Sequence, residues 1–178
     1  MTYLNRIADE IVKDRMNAFG AVNIVGPKGC GKTTTGKHFS KSIIEFQDED
    51  KRENYLLIAN THPSDLLKGE KPRLFDEWQD APKIWGTIRK DIDDHNLTGQ
   101  YILTGSSSKK ITTPHTGTLR ISNIKMYPFS LYESKDSNGE VSIIDLFNKK
   151  KLSTCHSNIT INRLKFLICR GGWPASLN

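Results

Sequence analysis

The residues that could do chemistry gather first between Gly26 and Thr34. Gly26-Pro27-Lys28-Gly29-Cys30-Gly31-Lys32-Thr33-Thr34 spells G-x-x-x-x-G-K-T, and a short apolar run, Ala21-Val22-Asn23-Ile24-Val25, stands just ahead of it. Glycines at 26, 29 and 31 let the backbone wrap tightly and turn its N–H groups inward, which makes a cradle for phosphate oxygens. A helix opening near Lys32 adds the positive end of its dipole. In such a cradle Lys32 reaches the β- and γ-phosphates, the Thr33 hydroxyl is a ligand for Mg²⁺, and Thr34 lies beside the α/β-phosphates. The whole stretch Gly26, Pro27, Lys28, Gly29, Cys30, Gly31, Lys32, Thr33 and Thr34 is thus expected to bind nucleotide.

Two acids follow at a distance that suits the same chemistry. Arg73-Leu74-Phe75-Asp76-Glu77-Trp78-Gln79 reads as a short apolar strand ending in a carboxylate pair. Asp76 is expected to hold Mg²⁺ through its water shell, and Glu77 to polarise the water that attacks the γ-phosphate. Further on, Gln100-Tyr101-Ile102-Leu103-Thr104 reads as a strand followed by Gly105-Ser106-Ser107-Ser108. A polar group there can hydrogen-bond the γ-phosphate or the attacking water; Ser106 follows the strand most closely, with Ser107 in reserve. Arg120, in the alternating stretch Thr118–Ile124, can neutralise charge on the transferring phosphate from its own or a neighbouring subunit, or else sit in a surface salt bridge. Trp78 and Trp85 can stack on a base, but packing is the stronger reading.

The elements that position these groups are read from periodicity. Tyr3–Phe19 places Leu4, Ile7, Ala8, Ile11, Val12 and Met16 at helical spacing, a helix packing on the body of the domain and stopped by Gly20. Thr33–Phe46 reads as the helix after the loop, and Tyr55–Asn60 as a second strand. His62–Leu67 opens a short helix with Pro63 in its first turn. Asp80–His95 is a longer helix with Ala81, Ile84, Trp85, Ile88 and Ile92 on one face. Val141–Phe147 is a short helix. Thr160–Cys169 is another, capped by Thr160, with Leu164, Leu167 and Ile168 inward. The implied architecture is a three-layer α/β sandwich around a mostly parallel sheet of five strands, Ala21–Val25, Tyr55–Asn60, Arg73–Asp76, Gln100–Thr104 and Thr118–Ile124. Ligand then belongs at the strands' C-terminal ends.

The bulk numbers set the frame. The chain has 178 residues, 36% hydrophobic and 26% charged, with a net charge of +6. That length supports one domain with a real core. The basic balance favours anionic partners, nucleotide or nucleic acid, although solvated lysines explain it equally well. No apolar run approaches a membrane span, and the N-terminus lacks the apolar core of a signal peptide, so the cytoplasm is the expected location. Cys30, Cys155 and Cys169 form no C-x-x-C pair, and His38, His62, His95, His115 and His156 are scattered without zinc spacing.

A set of motifs in order carries a resemblance. Gly26–Thr33, Arg73–Gln79, Leu103-Thr104-Gly105-Ser106-Ser107, His115-Thr116-Gly117-Thr118-Leu119-Arg120-Ile121, Tyr127-Pro128-Phe129-Ser130-Leu131-Tyr132-Glu133 and Cys169-Arg170-Gly171-Gly172-Trp173-Pro174 together resemble the AAA-type ATPase domain of a family of prokaryotic ATP-binding proteins. The resemblance implies an additional-strand (ASCE) P-loop fold that binds ATP and Mg²⁺. It divides the chain into a leading helix (1–20), a nucleotide-binding core (21–124) and a C-terminal helical extension (125–178). Family members usually carry a second glycine where this chain has Leu119. They also continue past the R-G-G-W-P element into a C-terminal domain thought to resemble restriction endonucleases, so the chain resembles an isolated, truncated ATPase domain. Three functions fit: an ATPase driving conformational change in an attached domain or partner, a nucleotide-binding clamp on protein or nucleic acid without turnover, or, less well, a small-molecule kinase. An oligomer is compatible with all three.

Overall fold

The computed structural model describes residues 3–106, 119–151 and 154–177. The chain divides into two compact units, Met1–Tyr127 and Pro128–Asn178.

In the first unit the helices are α1 (Ala8–Ala18), α2 (Lys32–Phe39), α3 (Arg52–Thr61) and α4 (Lys83–His95), and the strands are β1 (Ala21–Gly26), β2 (Ser42–Glu45), β3 (Arg73–Asp76), β4 (Tyr101–Ser106) and β5 (Ile121–Lys125). The strands form one sheet in the order β2-β3-β4-β1-β5, and every pairing is parallel. Alternate residues feed two separate cores, as period-two strands require. Ala21, Ile44, Phe75, Tyr101, Leu103 and Ile121 pack on one face with Ala59 of α3 and Ile84, Ile88 and Ile92 of α4. Val22, Ile24, Leu74, Ile102 and Ile124 pack on the other with Val12 of α1, and with Met16 and Phe39 beside them. The result is the expected three-layer α/β sandwich, its strands buried on both faces. Trp78 and Trp85 lie in the first core with ring centroids 4.7 Å apart, so neither presents a ring to a base.

Three local expectations need correction. The helix after the loop stops at Phe39, and Ser42–Glu45 becomes β2, the edge strand. Its register aligns Glu45 with Asp76, and it supplies the fifth strand in place of the expected Tyr55–Asn60. Those residues are instead helical, in α3, where Tyr55, Leu56, Ile58 and Ala59 turn inward and Leu57 faces water. Apolar runs of four to six residues fit a buried strand or a helix face equally well, and both readings failed on such runs. Finally, α1 is rotated from the expected stripe. Asp9 and Val12 point inward while Leu4, Ile7 and Ile11 are exposed.

The second unit holds α5 (Ile143–Phe147) and α6 (Ile161–Arg170). Thr160 caps α6 by accepting from the Arg163 N–H at 3.2 Å. On α6 only Leu167 is buried; Leu164 and Ile168 face outward, against expectation. A polar hub does more here. Asp136 receives Arg163 Nη2 at 2.7 Å, Arg170 Nη2 at 2.9 Å and the Ser134 hydroxyl at 2.8 Å.

Candidate functional site

Parallel register brings the chemistry of the first unit to one edge. Gly26 lies opposite Ser106, Asp76 opposite Thr104, and Glu45 opposite Asp76, all at the C-terminal ends of their strands. The loop leaves β1 at Gly26, where a Cβ would run into the Met126 carbonyl oxygen. Only glycine fits that approach. The loop ends at Gly31, whose φ of 102° marks the left-handed turn into α2. The first amides of α2 have no acceptor within the helix. Lys32 is 5% exposed, and its ammonium donates to the Pro27 carbonyl oxygen at 3.0 Å. The cation therefore curls over the loop it belongs to. Cys30 is buried, while Lys28, Gly29 and Thr34 are exposed.

Thr33 and Asp76 meet across the edge. The Thr33 hydroxyl donates to Asp76 Oδ1 at 2.7 Å, and the Thr104 hydroxyl donates to the same oxygen. Asp76 is 8% exposed. Burial pushes its carboxyl above the usual range, the nearby Glu77 and Glu45 charges push the same way, and the two hydroxyls pull it back. A hydroxyl and a buried carboxylate in contact form an all-oxygen donor pair of the kind a hard divalent cation takes, so the residues fit Mg²⁺. Beside them Glu77 has a φ of 53°, an uncommon conformation for a side-chain-bearing residue. Its carboxylate accepts from the Gln79 side-chain amide and from the Ser106 hydroxyl, the latter at 3.3 Å.

The site thus unites Gly26–Thr33, Asp76, Glu77 and Ser106. Ser107 lies outside the described residues, as do residues 115–118 of the H-T-G-T motif. Arg120 is not part of this gathering. Its backbone carbonyl accepts from the Ala21 N–H at 3.1 Å, at the opposite end of β1 from Gly26, about 17 Å away at strand rise. Its side chain pairs with Asp93 of α4, beside a groove of about 330 Å³ that Leu119 and Leu97 also line. Among the described residues no group of three histidine, cysteine, aspartate or glutamate side chains forms a metal cage, and no helix is long and apolar enough to cross a membrane.

Sequence reasoning passed over three contributors. Thr104 reads as a strand residue, yet its hydroxyl donates to Asp76. Gln79 holds the Glu77 carboxylate, and its buried Oε1 accepts no bond among the described residues. Asn23 accepts from the Trp78 indole at 3.1 Å and donates to Asn123 Oδ1 at 2.8 Å, a polar tie within the sheet that anchors the turn after β3. An asparagine inside an apolar strand run was the available signal for the last.

A family model described as an AAA domain matches residues 18–135. The chain belongs to the AAA domain family. This is a family of nucleotide-binding ATPases, and the all-parallel β2-β3-β4-β1-β5 sheet is its P-loop architecture. Among solved structures, an AMPPCP-bound DnaA from Aquifex aeolicus aligns with a TM-score of 0.50 at 15% identity, covering 99% of this chain and 59% of that one. A DNA replication initiation factor aligns at 0.44 with 14% identity, covering 96% and 63%. PCH-2 from C. elegans aligns at 0.37 with 13% identity, covering 87% and 48%. At such identities the DnaA likeness speaks to the fold alone, and this AAA domain spans less than two thirds of each of these chains. No curated protein matches the sequence significantly.

Proposed function

We infer that this AAA domain binds Mg·ATP and hydrolyses it, coupling turnover to a conformational change in an attached domain or a protein partner. The observation that carries the reading is the string Thr33–Asp76–Thr104, with Glu77 held beside it, next to the loop that ends at Gly31 and the Lys32 that follows it. The loop amides and the Lys32 ammonium take the phosphate oxygens. Thr33 and Asp76 would hold Mg²⁺, which supplies charge neutralisation across the β- and γ-phosphates. Glu77 accepts the proton of a water placed in line with the γ-phosphorus. As that oxygen bonds to phosphorus, the bond to the β,γ-bridging oxygen breaks, leaving ADP and inorganic phosphate. Ser106 and Gln79 keep the carboxylate aimed.

Arg120 can serve only a neighbouring subunit's phosphates, given its place at the far end of β1. This position favours a second reading for the lone chain, a nucleotide-dependent clamp on protein or nucleic acid that binds ATP without turnover. Phosphate release without an added acceptor, lost about 10²–10⁴-fold in Glu77→Gln while ATP affinity stays, is the expected result. ATP binding with no release at any protein concentration would leave the clamp. Radiolabelled phosphate arriving on a metabolite would point to a kinase.

A further inference from the structure

Arg6 stands ahead of α1, outside every motif, and is 6% exposed. Its Nη1 donates to the Cys30 carbonyl oxygen at 3.0 Å and its Nη2 to the Tyr127 carbonyl oxygen at 2.8 Å. Cys30 is in the middle of the phosphate loop. Tyr127 follows β5, the strand beside β1. Burying a guanidinium is costly unless its donors are matched, so this placement is held by the carbonyls it grips. Asp9, also buried, braces the segment: its carboxylate accepts from the Arg6 N–H at 2.8 Å and from the Tyr3 hydroxyl at 2.6 Å. The Tyr3 oxygen lies 3.2 Å from the Thr35 hydroxyl on α2. Residues 3–9 are therefore stitched to both the loop and the helix that follows it.

We propose that Arg6 is a positioning residue for the nucleotide phosphates, acting through the Cys30–Gly31 peptide. The proposal rests on the reading that the loop holds phosphate. A trans peptide points its C=O and its N–H to opposite sides. With the Cys30 carbonyl gripped from behind, the Gly31 N–H is aimed to the other side, where the loop wraps. Gly31, at φ 102° and without a Cβ, has the freedom to let that peptide swing. Arg6 removes the freedom before ligand arrives, so the ordering cost is not charged to binding. The Cys30 thiol is turned toward the Met126 carbonyl oxygen, 3.9 Å away, which keeps it off the cradle.

The test compares the full chain with its Arg6→Gln and Arg6→Lys variants. Titration calorimetry with Mg·ATP is paired with hydrogen exchange of amides 26–32 in the absence of nucleotide. Arg6→Gln, which can serve one carbonyl weakly, is expected to weaken binding at least tenfold and to speed exchange in the loop. Arg6→Lys, which keeps the charge but not the fork, should fall between. A merely structural arginine would lower the melting temperature and leave affinity within twofold of wild type; that result overturns the proposal. If Arg6→Gln does not fold, Arg6→Lys decides alone: wild-type affinity with wild-type exchange overturns it. Absence of heat from the folded wild-type chain is a different failure, since it removes the phosphate reading and this inference with it.

Discussion

At the C-terminal ends of β1, β3 and β4 the polar side chains form two short strings, Thr33–Asp76–Thr104 and Gln79–Glu77–Ser106, joined where the Glu77 backbone N–H donates to the Thr104 hydroxyl at 3.4 Å. At the other end of the same strands they form separate pairs. Tyr101 donates its hydroxyl to Asp91 at 2.5 Å, Arg120 pairs with Asp93, and the Lys71 ammonium sits 3.8 Å over the Tyr101 ring while donating to the Leu67 carbonyl oxygen. Each of these contacts already has its counterpart within the chain, and the two acids come from α4. The first edge is different. Its carboxylates crowd one another, its lysine is parked on a loop carbonyl, and a buried amide oxygen of Gln79 is left over. One sheet thus carries an end of separate side-chain pairs, where the buried Arg73 Nε is left over among the described residues, and an end where carboxylates crowd together beside a phosphate-type loop.

The largest effect should come from the crowded end. Lys32→Ala removes the ammonium, and no heat is expected on titration with Mg·ATP; unchanged affinity would remove the phosphate site altogether. Arg120→Ala, at the end of separate pairs, should leave ATP affinity unaltered yet slow turnover by 10³-fold or more in concentrated protein. Mixing it with Glu77→Gln should restore part of the activity. Equal turnover in both proteins would confine Arg120 to its salt bridge.

Acidity sharpens the contrast further. Burial lowers the Lys71 ammonium to about 8, with Asp91 opposing and Arg73 adding to the fall. The folded state thus binds fewer protons than the unfolded one between about pH 8 and 10, and stability rises with pH across that window. Above it Tyr101, whose burial and bond to Asp91 raise its hydroxyl, works in the opposite sense. Lys71→Met should flatten the rise in urea midpoints between pH 7.5 and 9.5. An undiminished slope would assign it to another group.

The smallest change concerns Leu119, which has φ 71° and is 76% exposed. The left-handed conformation costs a side-chain-bearing residue about 1–2 kcal/mol, and glycine's extra unfolded freedom returns about half of that. Leu119→Gly should raise stability by about 0.5–1 kcal/mol. A loss instead would show that the leucine makes a contact worth more than its strain. The family's usual glycine at this position fits the conformation observed.

The legible parts of the fold were those with local marks. Gly26–Thr33 and the acid pair after Phe75 announce themselves by residue type, and β1, β3 and β4 followed from them. Thr160 as a cap was legible for the same reason. Ile43-Ile44 and Leu56-Leu57-Ile58 were not, because a few apolar residues satisfy either period, and only pairing with β3 decides between them. Arg6 and Thr104 were hidden for another cause. Arg6 reaches Cys30 and Tyr127 across 24 and 121 positions, and Thr104 reaches Asp76 across 28. No spacing rule records such reach.

The Asp136 hub has a consequence for how the chain comes apart. Hydrogen bonds from Arg163 and Ser134, with Arg170 adding its charge, hold that carboxyl down to about 2, so its stabilisation is complete above about pH 4 and fades as acid approaches 2. Among the described residues of 128–178 only Leu167 is buried. In acid this segment is therefore expected to loosen before the two apolar cores on the faces of the sheet. A single melting temperature would then average over two events, and the C-terminal amides would surrender their protection first.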